Sequence, residues 1–80
     1  MTRLVRGEFE VIFSRHALKR AVERGIHWDF IHSTVFEGRL ENVGNEFVWF
    51  KKRFRKGTIV CKARKVSPDQ LFVVTVEWRD

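Results

Sequence analysis

The stretch FSRHALKRAVERGI, Phe13 to Ile26, gathers residues suited to work on a phosphodiester. His16, Arg20 and Arg24 stand four residues apart, which on a helix turning about 100° per residue makes one stripe. Metal-free cleavage of RNA needs a base for the 2′-hydroxyl, an acid for the leaving oxygen and cations for the phosphorane. A histidine supplies the proton transfer, and guanidinium groups grip phosphate at two points. His16 as base or acid, with Arg20 and Arg24 as phosphate holders, is therefore the candidate catalytic set. The competing reading is a solvated helix face held by the Lys19–Glu23 and Arg20–Glu23 pairs. Two features weigh against it. Arg15 and His16 fall in the first helical turn, where the dipole favours anions, and Arg20 and Arg24 are like-charged neighbours. An anion held at the helix start, with Arg15 beside it, would resolve both conflicts.

The run KKRFRK, Lys51 to Lys56, sets five cations around Phe54. Such a density at a strand end and turn suits phosphate tracking, with base stacking on the aromatic. Lys51, Lys52, Arg53 and Arg55, with Lys62 and Arg64 from the next strand, make up the candidate strand-guiding set along with Arg15. A solvated hairpin tip with Phe54 tucked inward is the alternative. His16, His27, His32 and Cys61 match no usual zinc spacing, so no metal site is expected. No phosphate loop, dinucleotide glycine fingerprint or nucleophile elbow is present, and no cofactor is expected.

The elements that must position these groups are legible in outline. The alternating EFEVIF gives a strand with Phe9, Val11 and Phe13 on one side. Ser14 is a good cap for a helix running to Arg24, with Gly25 ending it in a left-handed turn and Ile26 folding back. The apolar arc of that helix is Ala17, Leu18, Ala21 and Val22. A second helix is expected over Trp28 to Glu37, closed by Gly38, with Phe30, Ile31, Thr34 and Val35 inward. Period-two patterns then predict strands over Glu46–Phe54, Thr58–Val66 and Leu71–Trp78, with an extra short strand over Leu40–Val43. In the last two long strands Ile59, Cys61 and Ala63 face inward with Phe72, Val74, Val76 and Trp78. Val60, Lys62 and Arg64, with Val73, Thr75 and Glu77, form a mixed face open to solvent or a partner. The expected architecture is α+β: two N-terminal helices on an antiparallel sheet of about four strands, in the order β-α-α-β-β-β.

The chain has 80 residues, one domain's worth, and a formal charge of +6 from 16 Lys and Arg against 10 Asp and Glu. That balance favours an anionic partner, either nucleic acid or an acidic protein. No apolar run reaches membrane-spanning length, and the start MTRLVRGEFE lacks the apolar core of a secretory signal. The lone Cys61 fits a reducing compartment, and the expected location is cytoplasmic.

The opening segment resembles a family of small bacterial and archaeal domains that share S-x-H-A-x-x-R-x-x-x-R-G-[IV] and a closing VVTV-type strand. Here those positions are Ser14, His16, Ala17, Arg20, Arg24, Gly25 and Ile26, then Val73 to Val76. The element order is also similar to the RelE/ParE-like toxins, a superfamily containing compact metal-independent ribonucleases. The resemblance implies a RelE-like fold, an endoribonuclease acting on RNA (free or on the ribosome) and an acidic antitoxin as partner. Those toxins often use a Tyr or His near the C-terminus, whereas this chain has no tyrosine and ends Trp78-Arg79-Asp80. A nucleic-acid-binding module without cleavage, or an interaction domain for an acidic protein, are the alternatives.

Overall fold

A computed structural model describes residues 2–79. Strands β1 (Thr2–Arg6) and β2 (Phe9–Phe13) precede helices α1 (Arg15–Glu23) and α2 (Trp28–Glu37). Four more strands follow: β3 (Arg39–Val43), β4 (Phe47–Phe54), β5 (Gly57–Ser67) and β6 (Gln70–Arg79). All six form one sheet in the order β1-β2-β6-β5-β4-β3, antiparallel except where β2 runs parallel to β6. The expectation of about four antiparallel strands is thus corrected to a six-stranded mixed sheet. The four strands read most clearly from the sequence form its centre, and β1 and β3 extend its two edges. TRLVR hides β1 because an edge strand buries few side chains. Only Leu4 packs on the core, and Val5 is 60% exposed.

Local chemistry explains the helix boundaries. The Ser14 hydroxyl accepts from the Ala17 N–H at 3.0 Å, capping one of the orphan donors of α1. Gly25 takes φ +70° and the Ile26 N–H returns to the Ala21 carbonyl at 2.8 Å, a glycine-terminated stop that returns Ile26 to the core. The Arg6 guanidinium donates to the carbonyls of Val35 and Gly38 and lies 5.5 Å from the Phe50 ring centre. It closes α2 with a cation where the dipole is negative.

Both helices lie on one side of the sheet. Ala17, Ala21, Ile31 and Val35 share a core with Val11, Phe13, Val48, Phe50, Ile59, Cys61, Ala63, Leu71, Val73 and Val76. Burial pushes the Cys61 thiol up to about 12, so it serves as a small hydrophobe rather than a nucleophile. Three expected orientations are corrected. Val22 is 76% exposed and Phe30 is 42% exposed; α1 is rotated so that the small Ala17 and Ala21 approach the sheet, leaving Leu18 only partly buried. In β6, the ladder with β5 shifts register between Lys62/Thr75 and Ala63/Val73. The extra residue, Val74, reverses the alternation, so Val73 faces the core and Phe72 faces away. Among the described residues no helix is long and apolar enough to cross a membrane.

Candidate nucleic-acid interface

The face of the sheet away from the helices is built by the residues that alternate with the core. Register places Phe47, Arg64, Phe72 and Ile12 in one row across β4, β5, β6 and β2. A second row runs Glu41, Trp49, Lys62, Thr75, and a third runs Arg39, Lys51, Val60, Glu77. Phe47 and Phe72 are two strand spacings apart, about 10 Å, with Arg64 between them. Trp49 is the centre of this face. The Lys62 ammonium lies 4.6 Å from its ring centre, and Lys51 and the Arg79 guanidinium each lie 5.3 Å away. Val60 is fully buried although no helix covers it. Its neighbours Trp49, Lys51, Lys62 and Glu77 must roof it with ring and aliphatic stems.

The charges on this face divide into two groups. Lys51 pairs with Glu41 at 3.2 Å, Lys62 with Glu77 at 2.6 Å and Arg64 with Glu46 at 3.7 Å. The Lys62 hydrogen bond holds the Glu77 carboxyl below its ordinary range, against the burial that would raise it; Lys62, Arg79 and Arg24 add their charges. By contrast Arg39, Arg53, Arg55, Lys56 and Arg79 are exposed and make no ion pair among the described residues. Arg53 and Arg79 flank Thr58 in one row. With Arg55 and Lys56 in the adjoining turn, they gather at one end of the sheet. Arg53, Arg55, Lys56 and Thr58 also line a shallow hollow at that turn.

Of the residues expected to guide a strand, Lys51, Arg53, Lys62 and Arg64 share the open face and Arg55 adjoins it. Lys52 does not. It points to the helix side and binds Ser33 and Glu37 on α2, an ion pair that holds the Glu37 carboxyl below its ordinary range. Arg15 lies on α1, on the same side of the sheet as Lys52 and across it from the others.

The expected catalytic set also belongs to the helix layer. His16 and Arg20 are exposed on α1, and Arg20 stands 4.0 Å from Glu23. Arg24 donates to the Val76 carbonyl at 2.7 Å, and Ser14 donates to the Val73 carbonyl at 3.3 Å. Both acceptors belong to the part of β6 where β2 ends and turns into α1. Arg24 therefore supplies a hydrogen bond that a neighbouring strand would otherwise make. His16 is not brought together with Lys62, Arg64 or the hairpin cations.

Sequence reasoning missed Phe47, Trp49, Phe72 and Arg79 as candidates and left Lys56 out of the guiding set although it lies in KKRFRK. The signal for Phe47 and Trp49 was present, since both alternate with Val48 and Phe50, which the core claims. Phe72 was hidden by the bulge at Val74. Comparison with family models, curated proteins and solved structures finds nothing that matches this chain.

Proposed function

We propose that the protein binds single-stranded RNA on the open face of its sheet. One observation carries this reading: Phe47, Trp49 and Phe72 alternate with Lys62 and Arg64 on a face no helix covers, and that face runs into Arg53, Arg55 and Lys56, exposed cations with no ion pair among the described residues. Aromatic rings on a sheet take unstacked bases, while lysine and arginine follow the phosphates. A duplex would hide its bases from the rings. The similarity of the strand–helix–helix–meander order to that of the RelE/ParE-like toxins favours RNA over DNA. The separation of His16 from this surface favours binding over cleavage, and the competing partner for the same cations is an acidic protein.

The test incubates the protein with a labelled single-stranded RNA in EDTA across a series of salt concentrations. Intact RNA is expected, bound with an affinity that falls steeply as salt rises. RNA shortened by the wild type but not by His16→Ala would restore the catalytic reading. No binding at low salt would remove the RNA reading altogether.

A further inference from the structure

The β4–β5 hairpin has a second hollow on its helix side. Phe30 from α2, Phe54 at the end of β4 and Trp78 from β6 line it, together with Arg55 and Lys56. Phe30 and Phe54 meet edge to face, their ring centres 5.0 Å apart. Phe30 nevertheless remains 42% exposed, so much of its ring still faces solvent. Phe54, Arg55 and Lys56 line both this cleft and the polar hollow beside Arg53 and Thr58. The two therefore lie back to back across the hairpin tip, sharing their cations.

We propose that this cleft receives one unstacked base of the bound RNA as the strand passes over the hairpin tip. This inference rests on the RNA reading above and adds a site on the other side of the hairpin from the open face. Three of the five lining residues are aromatic and none is aliphatic, which suits a flat π system. The other two are cations with no ion pair among the described residues, placed where the phosphates flanking that base would lie. Apart from those cations and the Trp78 indole N–H, no side chain in the cleft can read a base edge. Recognition is therefore by stacking and favours purines without choosing a sequence.

The test measures binding of the oligonucleotides rA8 and rU8 to wild type, Phe30→Ala and Phe30→Tyr, with circular dichroism as the check on folding. Base–aromatic stacking sets the expected size: Phe30→Ala weakens rA8 binding by roughly five- to 150-fold and narrows the preference for rA8 over rU8. Phe30→Tyr keeps a ring and binds as wild type. The salt dependence of all three proteins is the same, because every cation is retained. A 2-aminopurine placed in rA8 should be quenched by wild type and Phe30→Tyr, and less by Phe30→Ala. If Phe30→Ala binds rA8 as tightly as wild type, with the same purine preference, the base site is refuted while RNA binding on the open face stands. That result would leave the cleft to an apolar side chain of a protein partner. If no variant and no wild type binds either oligonucleotide, both readings fall together.

Discussion

Helix α1 and the β4–β5 hairpin are the two most basic stretches of the chain, and they use their charge differently. Arg24, the residue that caps α1, is committed to a carbonyl of β6, and within the helix Arg20 leans towards Glu23. In the hairpin, Arg53, Arg55 and Lys56 reach solvent with no ion pair among the described residues. Arg15 and Lys19 of the helix also lack an ion pair among the described residues, and Lys51, Lys52, Lys62 and Arg64 of the hairpin strands have one. The contrast is between Arg24, bound to the fold, and the hairpin tip, whose cations are held ready for something outside. Charge density in a sequence does not separate these cases. The hydrogen-bond partners do.

The sharpest way to break the contrast is to remove each set in turn. Changing Arg53, Arg55, Lys56 and Arg79 together to Ala should weaken single-stranded RNA binding about tenfold or more near 0.1 M salt. The slope of log K against log salt should flatten by about 0.7 for each phosphate that is no longer neutralised. Changing Arg15, Lys19 and Arg20 together to Ala should leave affinity within about threefold, since these cations lie across the sheet. Filter binding or fluorescence anisotropy decides it. A larger loss from the α1 triple would move the site to the helix.

Stability should show the reverse order. Arg24→Ala deletes a charged donor from the Val76 carbonyl and is expected to cost about 1.5–3 kcal/mol in urea unfolding, as hydrogen bonds from charged groups do. Arg53→Ala, at an exposed position, should stay within about 0.5 kcal/mol of wild type. If Arg53→Ala destabilises as much as Arg24→Ala, the hairpin cations are structural after all.

The smallest effect concerns acid. Glu77 and Glu37 have folded-state pKa values below their ordinary 4.5, so each contributes stability that is present above pH 4.5. That contribution is lost as the pH falls through the lowered folded value. Unfolding measured between pH 7 and pH 3 should therefore show declining stability at the acid end. Glu77→Gln should lower stability at pH 7 and make the acid decline shallower. An unchanged acid profile in Glu77→Gln would mean that the Lys62 pair does not hold the open face together.

Much of the fold was legible because the strongest signals were local. Ser14, Gly25 and Gly38 mark the helix ends, and the alternation of Val48 with Trp49 or Cys61 with Lys62 marks strands without help from the rest of the chain. What escaped depended on distant pairing. The Val74 bulge arises only when β6 meets β5, and it moves Phe72 from the expected core to the open face. The rotation of α1 depends on how closely the sheet lets a helix approach, which favours Ala17 and Ala21 over Val22. The candidate site suffered most, since the expected set mixed residues from both sides of the sheet. No spacing in the sequence says which side a cation will reach.

The parallel pairing of β2 with β6 sets the kinetics of the fold as well as its shape. Gln70 reaches back across 60 residues to Glu10, its amide donating to the carboxylate at 2.9 Å, and β6 then separates the β1–β2 hairpin from the β5-β4-β3 meander. Neither half can complete the layer under the helices alone. The meander can form from neighbours in sequence, but the β1–β2 ribbon has no seat until the long loop through both helices closes. Closing such a loop costs entropy before any new interaction offsets it, and topologies rich in distant pairs fold slowly. Refolding should therefore be limited by this single docking event, with the meander ordered early and the opening hairpin and α1 arriving together.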